Sequence, residues 1–387
     1  MISYILPTRN RPAELARTLS AISALGNHDA VGGAETIVAD NASTPPVRVP
    51  DRLTSGIPIR LLRGARNEGA AARNAAANAA DPDSRWLVML DDDSHPLDRG
   101  FFDALRQARP EVGAIQAEIT LPCGTREAGG LPEVFIGCGV AIRREAFCKL
   151  GGYDHAFDYY AEEYDLAARL LRAGYRVALD RRFRVEHRKV SQGRDFARIL
   201  RRLVRNNAWV AQRYAPEDVR FNEIQETLAR YARIAWRERV PAAYLRGLAD
   251  LAFSLGRQTR QPLSAAIYDR LTGLAHARAA LAAANCTAPL GACALVSPGK
   301  NAWAVGRALH ELGARMVDDP ARADTLVVAT LSPGPMLDAL DLHTSPAAPH
   351  SGKRVVLPWA EAMAPARVHA AATLSREAPA VALAAAA

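Results

Sequence analysis

The sequence predicts an α/β protein whose mostly parallel sheet binds a ligand at one edge. Short apolar runs alternate with helical patterns along residues 1–120, which is the rhythm of βαβ units. Polar residues directly follow three of these apolar runs. Because parallel sheets bind ligands beyond the carboxyl ends of their strands, this repeated coincidence favours a nucleotide-like ligand.

Four strands are predicted in this part of the chain, and helical patterns connect them. Leu15, Leu19 and Ile22 recur at helical spacing after the first strand, and an Ala-rich helix near 70–80 precedes the last. The predicted strands cover residues 3–6, 36–39, 59–62 and 86–90, and the polar segments at their ends cover residues 7–10, 40–41 and 91–93.

The rest of the chain is predicted to contain a helix and strand, a helical region and a second βαβ pattern. A helix over residues 162–173 ends at Gly174 and precedes a strand over 175–179. Apolar runs after residue 291 predict a small Rossmann-like lobe, and the Ala-rich end predicts a loose tail. We therefore expect four parts, at residues 1–193, 194–285 (helical and basic), 291–360 and 366–387.

Composition limits the possible classes of protein. Apolar residues make up 49% of the 387 residues, so the chain can bury a sizeable core, and the net charge of +8 suits anionic partners. The five cysteines form no C-x-x-C pair, which indicates a reducing compartment. We find no signal-peptide pattern and no apolar stretch long enough to span a bilayer, so we expect a cytoplasmic protein, or one bound to the inner face of a membrane.

Several functional motifs are missing from the sequence. Ala294 stands where a Walker A loop ending at Gly299-Lys300 needs its first glycine, and Ile142 replaces the third glycine of a dinucleotide fingerprint. The sequence also has no HExxH zinc motif and no GxSxG nucleophile elbow. Aromatic and basic residues do not alternate, so we predict no nucleic-acid partner.

Asp91-Asp92-Asp93, at the end of the fourth predicted strand, is the most informative feature. Adjacent carboxylates repel one another, and Mg²⁺ or Mn²⁺ relieves that repulsion by taking carboxylate and phosphate oxygens as ligands. A solvated acidic turn is the alternative interpretation. The apolar strand before the run favours the metal interpretation, because it directs the carboxylates to the ligand-binding edge.

Later acids and one histidine can complete such a site. Glu162, Glu163 and Asp165 open a predicted helix, where carboxylates also stabilise the positive end of the helix dipole. In the functional interpretation, one of these acids is a general base. His187 ends a strand-like segment and offers a neutral nitrogen ligand, although a purely structural histidine is the alternative.

Residues 1–215 resemble the family 2 glycosyltransferases, because six segments occur in the order seen in that family. The resemblance implies a GT-A fold, a nucleotide-diphosphate-sugar donor, a divalent Mn²⁺ or Mg²⁺ ion and inversion at the anomeric carbon. The acceptor would be a hydroxyl of a saccharide or lipid-linked molecule in cell-surface polysaccharide or glycolipid synthesis. The segments are Pro7-Thr8-Arg9-Asn10-Arg11-Pro12, Asp40-Asn41-Ala42-Ser43, Arg66-Asn67-Glu68-Gly69-Ala70-Ala71-Ala72-Arg73-Asn74, Leu90-Asp91-Asp92-Asp93, Gly151-Gly152-Tyr153-Asp154 and Glu162-Glu163-Tyr164-Asp165-Leu166.

The same resemblance implies roles for individual residues. Glu163 would be the general base with Asp165 as a supporting acid, and Asp93 and His187 would hold the metal ion. The family often has Asp where Glu163 stands, and Glu reaches one methylene further. The donor would be bound by Thr8 and Arg9 in the nucleotide pocket, Asp40 facing the base, Arg73 near the diphosphate or ribose, and Asp91 and Asp92 at the ribose or sugar.

Residues 194–213 predict a helix with one basic and one apolar face. The basic face is either solvated or a surface for anionic lipid headgroups. Its members are Arg198, Arg201, Arg202 and Arg205.

Two other functions compete with sugar transfer. A sugar-nucleotide-forming nucleotidyltransferase needs a Gly-rich phosphate loop after the first strand, and residues 7–10 contain no glycine. A non-catalytic, transferase-like binder of anionic surfaces would not need Asp93, Glu163 and His187 together. Both alternatives are therefore less favoured than the transferase.

Overall fold

A computed structural model describes residues 1–189 and 195–359 of the chain. The predicted boundary between residues 193 and 194 and the predicted tail at 366–387 lie outside these described residues. The division into four parts stays a prediction.

The first half of the chain builds an eight-stranded sheet in the order β3-β2-β1-β4-β7-β6-β8-β5. Six strands run in one direction, and β5 and β7 run antiparallel to their neighbours. The strands are β1 Ile2–Thr8, β2 Ala34–Asp40, β3 Ile59–Arg63, β4 Trp86–Leu90, β5 Ser94–Pro96, β6 Val112–Thr120, β7 Gly139–Arg143 and β8 Arg176–His187.

Helices cover both faces of this sheet. Tyr4 and Leu6 of β1 enter one hydrophobic core, and Ile5 between them enters the core on the opposite face. Burial on both faces explains why these strands are apolar throughout instead of alternating with polar residues. The helices are α1 Pro12–Ala24, α2 Ala72–Ala79, α3 Gly100–Gln107, α4 Arg144–Lys149 and α5 Glu162–Arg172.

Parallel register brings the predicted polar strand ends together. Thr8 lies opposite Asp40 in the β1–β2 ladder, and the β1–β4 ladder pairs Ile5 with Met89. If the pairing of β1 with β4 is continued to the residues that follow, Thr8 is level with Asp92. The mixed α/β fold with a mostly parallel sheet that the sequence predicts is confirmed, with polar residues at the carboxyl ends of β1, β2 and β4.

The second half of the described chain consists of helices followed by a smaller sheet. Its helices are α6 Phe196–Tyr214, α7 Glu217–Arg237, α8 Pro241–Ser254, α9 Ala265–Thr272, α10 Leu274–Thr287, α11 Ala302–Glu311 and α12 Pro333–Thr344. Its strands, all parallel in the order β10-β9-β11-β12, are β9 Ala292–Val296, β10 Arg315–Met316, β11 Thr325–Val328 and β12 Arg354–Val356.

The smaller sheet does not have a hydrophobic core of its own. One continuous cluster of buried side chains contains Phe157, Trp209 of α6, Leu271 of α9 and Val328 of β11. Arg126, in the loop after β6, also forms ion pairs of 2.7 Å with Asp338 and 2.7 Å with Asp341 of α12. The C-terminal elements therefore pack as part of the same body as the large sheet.

Candidate active site

The three acids after β4 differ sharply in their surroundings. Asp92 is 4% exposed and accepts hydrogen bonds from the Thr8 hydroxyl at 2.9 Å and from Arg11 at 2.7 Å. Asp93 is 1% exposed and accepts a hydrogen bond from the same guanidinium at 2.9 Å. Asp91 is the most open of the three and pairs with Arg73. Two of these carboxylates are therefore buried and anchored, unlike those of a solvated acidic turn.

Burial and mutual repulsion set the charge state of Asp92. Burial is the main cause that raises the pKa of Asp92 to about 7. Asp91 and Asp93 act in the same direction, and Arg11 and Thr8 oppose the shift. A dication beside the run would favour the charged carboxylates, as Arg11 does. Arg11 belongs to the first segment of the family resemblance, but no binding or catalytic role is predicted for it from the sequence. Only the fold brings it to residues 92 and 93.

His187 lies beside this acidic run because β8 pairs antiparallel with β5, which places His187 opposite Ser94. Its Nδ1 atom is 2.8 Å from a carboxylate oxygen of Glu127, and its Nε2 atom is 3.4 Å from Asp93 Oδ1. Burial disfavours the imidazolium, but the acceptors around it raise the pKa of His187 to about 12. A metal ion at Nε2 would have to displace this proton.

The residues around His187 fit a divalent metal ion. The Nε2 atom is buried and has no hydrogen-bond partner among the described residues, while Glu127 holds the other ring nitrogen, as is usual for metal-ligating histidines. Ligand atoms of Asp91, Cys138 and His187 lie within 4.8 Å of one another. Burial raises the pKa of the Cys138 thiol, so the carboxylates are the better partners of His187. Glu127 and Cys138 carried no signal in the sequence.

Asp40, Arg9 and Arg73 surround the strand ends in different ways. Asp40 is buried and accepts backbone hydrogen bonds from Ser43 at 2.9 Å and Val47 at 3.1 Å, so it shapes the turn after β2. Arg9 is exposed next to Thr8. Arg73 is 5% exposed, donates to the Leu90 carbonyl at 3.2 Å and pairs with Asp91. The predicted donor-binding residues therefore lie at one edge of the sheet.

The acids that open α5 lie near Arg73, whose charge acts on both of them. Burial raises the pKa of Glu163, and the nearby Arg73 and Lys300 charges oppose that shift. The Gly137 amide donates to Glu163 Oε1 at 3.3 Å, and a Cβ atom at residue 137 would lie 3.2 Å from that oxygen. Glu162 is more deeply buried, and its Oε2 atom has no hydrogen-bond partner among the described residues.

The loop before α5 is held in an unusual backbone conformation. Asp158, Tyr160 and Ala161 have φ values of 62°, 72° and 69°, in the left-handed region that side chains disfavour. The buried amide of Asn206 in α6 lies 2.9, 2.9 and 2.7 Å from the carbonyls of Phe157, Tyr159 and Tyr160. This single side chain therefore holds the loop that positions Glu163.

We expect Asn206→Ala to destabilise the fold by about 1–3 kcal/mol, because it leaves buried carbonyls without a donor. The turnover number should fall as well, since the first turn of α5 loses its anchor. Thermal melting and initial rates check this, with Asn222→Ala on the exposed surface of α7 as the control. An Asn206→Ala protein with unchanged melting temperature and rate would contradict the assignment.

Asp165 is buried within a network that joins α5 to α6. It accepts hydrogen bonds from Arg169 at 2.6 Å, from Arg213 at 2.9 Å and from the Tyr214 hydroxyl at 2.6 Å. Arg213 also pairs with Asp154 at 2.7 Å. The structure therefore places Asp165 behind the first turn of α5, where its contacts hold the helix in position.

The basic face of α6 is largely occupied within the chain. Arg201 pairs with Asp250 at 2.6 Å, and Arg202 pairs with Asp158 in the loop before α5. Arg205 lies over the Trp209 ring at 4.4 Å. The acids that pair with Arg201 and Arg202 are distant from them in sequence, so the charge pattern of the helix alone overstated its free positive charge.

Two family models match the chain. Residues 3–115 match the model described as Glycosyl transferase family 2, and residues 126–251 match the model described as Glycosyl transferase family 21. The O-antigen biosynthesis protein RfbC of Myxococcus xanthus is 27% identical over an alignment that covers 50% of this chain and 18% of that protein. The chain therefore spans less than a fifth of the length of that relative.

Solved structures of sugar-transferring proteins show weaker likeness. GalNAc-T7 with UDP, GalNAc and Mn²⁺ is 15% identical, with a TM-score of 0.46 over 66% of this chain and 57% of that chain. The mannosyltransferase PcManGT of Pyrobaculum calidifontis, in complex with GDP-Man and Mn²⁺, is 19% identical, with a TM-score of 0.42 over 74% of this chain and 81% of that chain.

Proposed function

We propose that the protein is an inverting glycosyltransferase of polysaccharide synthesis, because residues 3–115 match the family model described as Glycosyl transferase family 2. It moves a sugar from a nucleotide-diphosphate sugar to an acceptor hydroxyl. The observation that supports this best is that Arg73 pairs with Asp91 and lies close enough to Glu163 to lower its pKa, while Asp93 lies 3.4 Å from His187 Nε2. Direct displacement needs a metal site and a base around one reacting centre.

The acids after β4 would hold the metal ion and the donor. Asp93 and His187, with Asp91 beside them, would bind Mn²⁺ or Mg²⁺, and the ion would neutralise charge on the departing diphosphate. Thr8, Arg9, Asp40 and Asp92 would bind or shape the pocket of the nucleotide. Arg73, with its side chain buried between the two groups of acids, would stabilise negative charge on the diphosphate.

Glu163 would act as the general base. An alcohol is a poor nucleophile until a carboxylate accepts its proton, and that base must approach from the side opposite the departing diphosphate. The attack then inverts the anomeric carbon without a covalent enzyme intermediate. Asp165 would support this step indirectly, because its contacts with α6 keep the first turn of α5 in position.

A thermal-shift experiment tests the proposal. We expect UDP or GDP to raise the melting temperature only when Mn²⁺ is present, with about 2.7 kcal/mol of stabilisation at a hundredfold excess over the dissociation constant. A panel of nucleotide sugars should then show metal-dependent hydrolysis for at least one donor. If no nucleotide binds in a metal-dependent manner, the transferase proposal is refuted, and the result favours a non-catalytic binder of anionic surfaces.

We also propose that the protein associates peripherally with an anionic membrane. Within the described residues, none of the helices is both long and apolar enough to cross a bilayer. Trp236, Leu245 and Phe253 are 82%, 62% and 78% exposed, and Arg239 and Arg246 are exposed on the same two helices and their connection. Co-sedimentation with phosphatidylserine vesicles should weaken with rising salt and in Trp236→Ala, and no binding at low salt would refute the proposal.

A further inference from the structure

A cleft of about 1050 Å³ lies beside the first turn of α5, among α5, α6, α7, α9 and the start of α11. Ala161 and Tyr164, which flank the two acids of α5, are part of its lining. The segment at residues 299–303, which precedes and begins α11, also lines it. The cleft therefore adjoins the turn of α5 that carries Glu163, and the Tyr164 hydroxyl there is buried without a hydrogen-bond partner among the described residues.

Lys300 connects this cleft to the base. Its ammonium lies 4.9 Å from the centre of the Tyr164 ring and interacts electrostatically with Glu163. Burial lowers the pKa of Lys300 to about 8, which shows that its positive charge is poorly solvated. An anion beside it would relieve that cost.

The cleft carries further positive charge. Arg230 and Arg233, one turn apart on α7, are part of its lining. Across the described residues, no carboxylate lies within ion-pair distance of Arg230, Arg233 or Lys300, whereas other arginines such as Arg201 and Arg213 are paired. Glu226 and Glu223 also line the cleft, about one and two turns before Arg230, and Arg230 interacts electrostatically with Glu223, so the cations are only partly compensated.

The lining also contains apolar and aromatic side chains, beside polar ones such as Asn207, Thr227 and Thr272. It can therefore cover the less polar faces of a sugar ring or a hydrocarbon group, while the cations bind an anionic substituent. Three clustered cations of this kind match a phosphate group, which offers several oxygens, better than a single carboxylate. The apolar and aromatic members are Leu131, Leu203, Val210, Ile234, Leu271 and Trp303.

We propose that this cleft is the acceptor subsite, and that the acceptor is a phosphate ester whose phosphate contacts Arg230, Arg233 and Lys300 while its hydroxyl faces Glu163. The inference rests on the proposed function. It gives the C-terminal elements a role, since the segment carrying Lys300 completes a site that the family 2 domain does not contain. Lys300 is a positioning residue for the acceptor and acts on Glu163 only through its charge.

Binding of phosphate esters in metal-free protein tests the proposal, because chelation with EDTA suppresses diphosphate binding at the donor site. Calorimetry should detect glucose 1-phosphate or octyl phosphate, but neither glucose nor octyl glucoside. Lys300→Met and Arg233→Gln should each weaken this binding at least tenfold, and Arg315→Gln, at an exposed position in β10, should not. Tighter binding of glucose 1-phosphate would indicate that the acceptor is a soluble sugar phosphate. Tighter binding of octyl phosphate would indicate that the acceptor is an apolar phosphate ester.

The two proposals fail in different ways. Mn²⁺-dependent binding of UDP or GDP should be the same in Lys300→Met as in the wild-type protein. If the wild-type protein binds neither nucleotide, the transferase proposal is refuted, but the site for phosphate esters is not. The acid limb of the pH profile for donor hydrolysis should move to higher pH in Lys300→Met. Lys300, Arg73 and the Gly137 amide all lower the Glu163 pKa, and removing one of them leaves the opposing effect of burial less compensated. Phosphate esters that bind wild type and both variants equally, or do not bind at all, would overturn the acceptor subsite.

Discussion

Glu163→Gln is expected to reduce sugar transfer by about 10²–10⁴-fold, which is the usual contribution of a general base. Gln keeps the size of the side chain and can still accept the hydrogen bond from the Gly137 amide. It cannot accept the proton of the acceptor hydroxyl. Mn²⁺-dependent binding of the nucleotide should therefore remain nearly intact, and initial rates together with nucleotide titrations measure the two effects separately.

Glu162→Gln is the matched control for this substitution. Burial and the adjacent Glu163 raise the pKa of Glu162 well above its ordinary value, which favours its neutral form. A neutral amide therefore resembles the native state, and the loss of rate should be far smaller than for Glu163→Gln. The reverse ranking of the two variants would remove Glu163 from its role.

The pH dependence of the reaction provides a second readout of the same base. Because burial raises the pKa of Glu163, the carboxylate becomes protonated at a higher pH than an exposed glutamate would. The rate should therefore fall as the pH decreases through this raised value, and the acid limb should lie above the ordinary range of a glutamate. An acid limb at or below that range would contradict a buried base.

Asp93→Ala should abolish metal-dependent turnover of the donor. The substitution removes the carboxylate that lies 3.4 Å from His187 Nε2, so the ion would lose one ligand. It also leaves Arg11 with one partner fewer, and breaking a buried pair costs about 3–5 kcal/mol, so Asp93→Asn should be compared by thermal melting. A folded Asp93→Asn protein with normal Mn²⁺-dependent turnover would exclude Asp93 as a ligand.

Glu127→Gln separates the ligands from the residue that orients them. Glu127 contacts the Nδ1 atom of His187, and loss of such a partner typically weakens metal affinity by about 10–100-fold without removing the site. Saturating Mn²⁺ should restore most of the rate in Glu127→Gln and none in Asp93→Ala. Equal rescue of both variants would indicate that the ion binds elsewhere.

The sequence by itself determined the parts of the molecule that depend on local chemistry. Apolar runs predicted β1 to β4, since strands buried on both faces have few polar residues. The acids after β4 and at the start of α5 were also visible, because parallel strands and helix starts bring polar groups to defined edges. The antiparallel direction of β5 and β7 could not be predicted from the sequence, because the hydrophobic pattern carries no information about strand direction.

Only the tertiary structure decided which charges are compensated and which are available. Asn206 reaches the loop before α5, Glu127 reaches His187 and Lys300 approaches Glu163 across separations of many residues in the chain. The basic face of α6 is a clear pattern in the sequence, yet Arg201 and Arg202 are paired with distant acids. Electrostatic energy depends on distance in space and on burial, and neither quantity can be calculated from the order of residues alone.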